Sequence, residues 1–300
     1  MEMHMATVWE AVADAVPDAT ALVHGDTRRT WAEYDRRAAG LAGALTDAGL
    51  GPDSKVGLYL YNSNEYLEAQ HGAFKLRGVP VNVNYRYLDD ELWYLLDNAD
   101  AEALFFHTSL AERVDRVKER LPKLKLLVEV DDGGPQLDGA ARYEDLTAHD
   151  PMPRIERRED DIYMLFTGGT TGMPKGVMYA QGGFTSNFVT LGYAATGFPV
   201  PSDAAQIPEI VRSLHESGRA PVSIPGCPLM HGTGMWLGSM IPLLAGGTVV
   251  TLTSRSLDAD ELWRAAVDEG ATMIVIVGDA FAKPMIRALD AAIEAGRPTT

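Results

Sequence analysis

The sequence predicts an α/β protein with largely parallel sheets. Short runs rich in β-branched and aromatic residues alternate along the chain with stretches whose apolar residues recur at helical spacing. Several of the short runs are apolar on both faces, which is typical of strands covered by helices on each side. Hydrophobic residues make up 46% of the 300 residues and charged residues 23%, a composition that excludes a coiled coil or a disordered tail.

The individual elements follow from these two periodicities. Thr30 can cap a helix that begins at Trp31, because Glu33 stands where it would close a capping box. Asp279 is the expected cap of the last helix, and a strand is expected after Lys175. The other predicted strands cover 56–61, 79–83, 103–107, 124–130, 162–167, 222–224, 248–252 and 273–277. The other predicted helices cover 64–75, 89–96, 110–121, 257–267 and 281–295.

Two stretches interrupt this alternation. The segment 150–161 contains two prolines followed by a charged run, and it predicts the boundary between two lobes. A second irregular stretch is expected over 198–208, where prolines recur. No internal repeat or low-complexity tract is present.

Charge and cysteine content narrow the function classes. The chain carries 42 acidic and 26 basic residues, a net charge of −16, which disfavours general nucleic-acid binding but allows a local site for a small phosphorylated ligand. The single cysteine, Cys227, excludes a disulfide framework. The first residues do not resemble a secretory signal, and no apolar run is long enough to span a bilayer. We therefore expect a soluble, cytoplasmic protein.

The segment with the clearest chemistry is the loop at 167–176, which reads T-G-G-T-T-G-M-P-K-G between two apolar strand-like runs. Glycines allow backbone N–H groups to face a bound anion, the threonine hydroxyls add donors or a metal ligand, and Lys175 adds a compact positive charge. The loop therefore predicts a polyphosphate site. It is not a Walker A loop, because Gly176 follows the lysine and a strand follows the loop.

This loop resembles the signature loop of the adenylate-forming enzymes, which include acyl-CoA synthetases, firefly luciferases and the adenylation domains of peptide synthetases. Gly168 stands where the usual form has serine. The segments 31–50, 56–73, 78–86, 228–236 and 244–250 also resemble the family, so the resemblance covers essentially the whole chain. It implies that residues 1–300 form an incomplete AMP-binding large domain of two interleaved αβ lobes, truncated before the carboxy-terminal domain.

The resemblance implies an ATP-dependent ligase. Such enzymes convert ATP and a carboxylic acid to an acyl-adenylate and pyrophosphate, and then transfer the acyl group to coenzyme A. The form of the loop resembles ligases for long-chain or sterol side-chain acids. The implied ligands are ATP, Mg²⁺, coenzyme A and the acid. We expect no nucleic-acid partner and no transmembrane segment. The resemblance leaves open whether the chain forms a homodimer.

The resemblance also assigns residues to roles. Lys175 and His231 are the candidate catalytic residues, with His231 expected near the acyl carboxylate. Met235 stands where related fatty-acid ligases carry an aromatic gate; together with Trp236 and Gly278 it is expected to line the acyl pocket. Thr167 is the expected ligand of Mg²⁺. The residues expected to bind the β- and γ-phosphates are Thr167, Gly168, Gly169, Thr170, Thr171, Gly172 and Lys175.

Several family segments are not found in the sequence. The segment that stacks on adenine, the aspartate that binds the ribose and the domain with the catalytic lysine are missing. Three alternatives therefore stand beside the acyl-CoA ligase: an aryl-acid or amino-acid adenylating enzyme, a non-catalytic fragment that binds ATP, and a P-loop phosphotransferase. The last predicts nucleotide turnover without any carboxylate.

Overall fold

The computed structural model describes residues 3–168 and 173–297. Its strands, in chain order, are β1 (Thr20–His24), β2 (Thr27–Thr30), β3 (Lys55–Tyr59), β4 (Val79–Asn82), β5 (Ala101–His107), β6 (Leu126–Val130), β7 (Ala141–Arg142), β8 (Ile162–Thr167), β9 (Lys175–Ala180), β10 (Val222–Pro225), β11 (Thr248–Thr251) and β12 (Met273–Val275). Its α-helices are α1 (Met5–Ala15), α2 (Trp31–Asp47), α3 (Asn64–Lys75), α4 (Asp89–Asn98), α5 (Ala111–Lys118), α6 (Tyr143–Thr147), α7 (Gln181–Thr196), α8 (Ile207–Glu216), α9 (Ile241–Leu244), α10 (Ala259–Asp268) and α11 (Asp279–Glu294).

The chain forms two compact units from interleaved segments, as the sequence predicts. The first unit comprises Met1–Thr7, Glu33–Tyr61 and Glu65–Ser186. The second comprises Val8–Ala32, Asn62–Asn64 and Asn187–Thr300. The segment 150–161, predicted as the boundary between lobes, lies inside the first unit instead.

The first unit is built on a five-stranded sheet in the order β4-β3-β5-β6-β7, in which every pair of neighbours is parallel. Its strands carry buried residues on both faces, and β5 is buried at six of its seven positions. Phe106 and Leu104 of β5 pack with Val81 of β4 and Leu95 of α4 in one apolar core. This core confirms the expectation that the strands are covered on both sides.

The first unit also contains a two-stranded antiparallel sheet formed by β8 and β9. Met164 and Phe166 of β8 are buried in the same core as the parallel sheet. Strand β9 follows the predicted phosphate loop, as the sequence indicates, and both of its end residues are exposed. The core therefore holds the hairpin through β8.

The second unit contains a five-stranded sheet in the order β12-β10-β11-β1-β2. Its pairs are parallel except β1 with β2, which form an antiparallel hairpin. Leu262 of α10 and Met285 of α11 pack against Ile224 of β10 and Val250 of β11 in the core of this unit. A π-helix, Thr233–Met240, lies between β10 and α9.

Most predicted elements are present, and some expectations are wrong. The predicted bounds of α3 and β8 agree with the structure. The irregular stretch predicted over 198–208 is shorter, since a 3₁₀ turn covers Ala204–Gln206 and α8 begins at Ile207. The elements that were not predicted from the sequence are α1, α6, α7, α8, α9, β7, the hairpin β1–β2 and the π-helix. Within the described residues, no helix combines the length and apolarity that a bilayer crossing requires.

Candidate active site

The hairpin of β8 and β9 presents the two ends of the predicted phosphate loop side by side. Thr167 pairs directly with Lys175 as the last pair of the antiparallel ladder. Directly opposed residues of a ladder project from the same face of the sheet, so the threonine hydroxyl and the lysine ammonium share one face. Both residues are exposed. The hairpin therefore places a neutral donor and a cation where a solvated anion can reach them.

Glycine has a separate role at each end of this loop. A Cβ added to Gly168 would meet no atom of the described residues within 4 Å. Gly176, by contrast, pairs with Phe166, and an added Cβ would lie 3.0 Å from the Phe166 ring. Gly169, Thr170, Thr171 and Gly172 lie outside the described residues.

His231 belongs to the second unit and precedes a π-helix. Its side chain is exposed. Its backbone N–H donates to the Pro228 carbonyl at 3.2 Å, and its own carbonyl accepts from the Met235 N–H at 3.0 Å. After His231 the chain winds into the π-helix Thr233–Met240. π-Helical turns are rare and often mark functional sites.

Close backbone contacts fix this π-helix in the second unit. A Cβ on Gly234 would lie 2.4 Å from the Pro228 carbonyl oxygen, and a Cβ on Gly238 would lie 2.8 Å from the Pro225 Cβ. The Ser223 hydroxyl of β10 also donates to the Gly238 carbonyl at 2.8 Å. Glycine is therefore required for the approach of the π-helix to β10 and to the loop before His231.

Gly234→Ala is expected to lower the free energy of unfolding by about 1–3 kcal/mol, because the new methyl group overlaps a backbone oxygen that cannot rotate away. Chemical denaturation of the variant and the wild-type chain measures this loss. Gly183→Ala is the matched control, since a Cβ there meets nothing within 4 Å. Equal stability of the two variants would contradict the packing described for Gly234.

The aromatic and methionine side chains beside His231 differ in burial. Met235, at the position of the expected gate, is fully buried. Trp236 is partly buried, and its ring lies 5.9 Å from the Phe188 ring of α7 at an angle of 60°. Sequence reasoning did not identify Phe188, which lies in a helix with little amphipathic period. Trp236 and Phe188 thus form an aromatic pair beside the histidine loop.

Gly278 stands at the start of α11 with a backbone that favours glycine. Its φ of 69° lies in the left-handed region, it is exposed, and a Cβ there would meet nothing within 4 Å. Asp279, predicted as the helix cap, is instead the first helical residue, and Gly278 takes the cap position without a side-chain bond. Asp279 pairs with Lys283 one turn later at 2.9 Å.

Asn62 fixes the chain segment that leads to His231. Its amide group donates to the Cys227 carbonyl at 3.2 Å and accepts from the Leu229 N–H at 2.8 Å. Both bonds lie within the second unit. Sequence reasoning missed these contacts because Cys227 and Leu229 lie 165 and 167 residues after Asn62 in the chain.

The structure argues against a thiol nucleophile at Cys227. The residue is buried, and burial raises the pKa of its thiol to about 11. The thiol therefore stays protonated at neutral pH, and a protonated thiol is a poor nucleophile. This agrees with the sequence, which offers no acid–base pair for this cysteine.

The described residues contain no cluster of three or more His, Cys, Asp or Glu side chains that could hold a metal ion. Magnesium in proteins is commonly bound by one or two protein oxygens together with phosphate oxygens of a substrate. The exposed Thr167 hydroxyl at the loop entrance is an oxygen donor that fits one position of such an ion.

Comparisons with known proteins identify the family of the chain. The family model of AMP-binding enzymes matches residues 9–296. The medium-chain acyl-CoA ligase Mig of Mycobacterium avium is 37% identical over 305 residues, which cover 95% of this chain and 54% of that ligase. The 3-oxocholest-4-en-26-oate–CoA ligase of Rhodococcus rhodochrous is 35% identical over 314 residues, which cover 100% of this chain and 53% of that protein.

Solved structures share the fold. A long-chain-fatty-acid–CoA ligase from Archaeoglobus fulgidus matches with a TM-score of 0.77 at 18% identity, over 97% of this chain and 55% of that chain. The likeness confirms the predicted α/β fold of the large domain. The chain spans about half the length of the curated relatives it matches.

Proposed function

The chain belongs to the family of AMP-binding enzymes, and we propose that it carries the phosphate loop and part of the acyl pocket of an acyl-CoA ligase. The proposed reaction joins a carboxylic acid to AMP at the expense of ATP, releases pyrophosphate and passes the acyl group to coenzyme A. The observation that carries this proposal is the paired Thr167 and Lys175 at the two ends of a glycine-rich loop.

The chemistry explains why such a loop is needed. A carboxylate is a poor electrophile, and its attack on the α-phosphorus of ATP brings two anions together. Lys175 and the hydroxyl of Thr167 hold the β- and γ-phosphates and stabilise the charge that develops on departing pyrophosphate. Magnesium, when bound, would neutralise phosphate charge, and Thr167 would supply one of its ligands.

His231 is proposed to orient the acid. The hydrogen bonds of its backbone to Pro228 and Met235 fix its place at the start of the π-helix, and its side chain is exposed. An imidazole N–H in that position can donate to a carboxylate and hold it for attack. We propose that the acyl chain of the acid lies along Met235, Trp236 and Gly278.

The proposed substrate is a long-chain or sterol side-chain acid. Support comes from the relatives, whose names describe a medium-chain acyl-CoA ligase and a 3-oxocholest-4-en-26-oate–CoA ligase. The open space at Gly278, where a Cβ would meet nothing within 4 Å, is compatible with a bulky apolar acid. A cytoplasmic location remains a prediction.

A non-catalytic role is the alternative that a specific observation favours. Because the chain spans about half the length of its curated relatives, it supplies only part of the residues that they contain. Such a chain would bind ATP through its loop and catalyse nothing alone. Carboxylate-dependent exchange between pyrophosphate and ATP on this chain would refute that alternative.

The substrate proposal is tested by a panel of acids with the protein of the complete reading frame. We expect coenzyme A thioesters from long-chain and sterol side-chain acids, and little product from benzoate or amino acids. Mass spectrometry of the products, in reactions with and without ATP, measures the thioester formed from each acid. A preference for aryl or amino acids would contradict the proposed substrate class.

A further inference from the structure

Two side chains of the first unit fasten strand β8 to strand β4. The Asn82 amide accepts from the Phe166 N–H at 2.7 Å and donates to the Phe166 carbonyl at 2.9 Å. The Arg77 guanidinium donates to both carboxylate oxygens of Asp161, at 2.7 to 3.1 Å. In both pairs the partners are 84 residues apart, so β4 and β8 run side by side in the same direction.

The Asn82 side chain forms the hydrogen bonds that the backbone of a neighbouring strand would otherwise form, at the point where β8 reaches the loop. Strand β8 belongs to a separate two-stranded sheet, so its edge toward β4 is held by side chains rather than by a ladder. An asparagine amide offers the same donor and acceptor as a peptide group. By taking up both the N–H and the carbonyl of Phe166, Asn82 fixes the residue directly before Thr167.

Phe166 transmits this restraint across the hairpin. It is the partner of Gly176 in the β8–β9 ladder. Its ring lies against Gly176, since a Cβ added to that glycine would be 3.0 Å from the nearest ring carbon. The ring is also buried in the core of the first unit, 6% exposed. Holding the Phe166 backbone therefore fixes the residue before Thr167 and the residue after Lys175 together.

We propose that Asn82 is a positioning residue for the phosphate loop: its amide sets the spacing between the Thr167 hydroxyl and the Lys175 ammonium. This inference rests on the proposed function, because the loop matters only if it binds phosphate. Asn82 acts through its two hydrogen bonds to the Phe166 backbone. Arg77 and Asp161 hold the base of the same hairpin.

The test compares Asn82→Ala with Val81→Ala in the 300-residue chain. Val81 is the adjacent β4 residue and is buried in the core. Its truncation destabilises the same strand but leaves the Asn82 amide and its two hydrogen bonds to Phe166 in place. Deuterium exchange of the β8 and β9 amides and calorimetric titration with inorganic tripolyphosphate and Mg²⁺ are measured at a temperature where both variants are folded. If Asn82→Ala does not fold, Asn82→Asp, which keeps the volume and the acceptor but loses the donated bond, replaces it.

Faster exchange in β8 and β9 of the Asn82 variant alone, with affinity for tripolyphosphate reduced about three- to tenfold, supports the proposal. Where Lys175→Ala weakens the binding of tripolyphosphate, the proposal is overturned if Asn82→Ala and Val81→Ala exchange and bind alike, or if exchange rises while affinity stays at the wild-type value. Lys175→Ala in the same titration separates the phosphate role of the loop from the positioning role of Asn82. If the wild-type chain and Lys175→Ala bind tripolyphosphate equally, the phosphate role of the loop fails, and exchange alone then decides whether Asn82 positions the hairpin.

Discussion

Lys175→Ala is expected to reduce the use of ATP by the intact enzyme more than tenfold, a loss of at least about 1.4 kcal/mol in transition-state stabilisation. The ammonium group stands opposite Thr167 at the end of the hairpin, where it can neutralise charge on departing pyrophosphate. Steady-state kinetics with ATP as the varied substrate give kcat and KM separately. A loss in both would show that the lysine contacts the transition state as well as bound ATP.

The control for this variant removes a lysine of the same unit that lies outside the loop. Lys123 has a half-exposed side chain, paired with Asp100 at 2.6 Å on the surface. Lys123→Ala changes the net charge by the same amount, so it corrects for any general effect of charge on ATP binding. Equal kinetics in the two variants would remove Lys175 from the phosphate site.

Arg37→Met is expected to lower the free energy of unfolding by about 3–5 kcal/mol at neutral pH, because it leaves a buried carboxylate without its cation. Glu68 is fully buried and accepts from Arg37 Nε at 2.9 Å and from the Tyr143 hydroxyl at 2.7 Å. The second partner of Arg37, Glu144, is mostly exposed and contributes little. Urea denaturation monitored by circular dichroism measures the loss.

The loss should shrink as the pH falls. Burial raises the pKa of the Glu68 carboxyl above its ordinary value, opposed by its bonds from Arg37 and Tyr143. Without Arg37 this pKa rises further. A carboxyl whose pKa is raised in the folded state favours folding most when it is protonated, below its pKa in the unfolded chain. The free energy of unfolding then falls as the pH rises through the pKa of the folded state. The variant should therefore approach the wild type in acid and fall furthest behind above neutrality.

A compensating variant separates charge from packing. Glu68→Gln added to Arg37→Met removes the buried charge but keeps an acceptor for the Tyr143 hydroxyl, so most of the lost stability should return. If the double variant is as unstable as Arg37→Met and the loss is the same at every pH, packing rather than the buried charge determines the effect.

Local signals made much of the fold and of the phosphate loop predictable. The loop at 167–176 was identifiable because glycines, threonines and a lysine cluster between two apolar runs. Strand β8 and helix α3 were predicted with the bounds that the structure shows. The parallel sheets followed from strands that are apolar on both faces.

The elements that were missed lack such signals or depend on distant contacts. Helix α1 is buried almost all round, so it has no polar face to reveal its period. The π-helix at Thr233–Met240 does not follow the α-helical period by which helices are recognised. The contacts of Asn62 and Asn82 join segments far apart in sequence. No local pattern distinguishes these asparagines from others on the surface.

We propose that this chain is part of an enzyme that activates a carboxylic acid with ATP. Exchange of labelled pyrophosphate into ATP by the protein of the complete reading frame tests it most directly, because exchange requires reversible formation of the acyl-adenylate. We predict exchange that depends on an added long-chain or sterol side-chain acid and that is reduced more than about tenfold by Lys175→Ala. ATP turnover without any carboxylate, or exchange that no acid stimulates, would contradict the account.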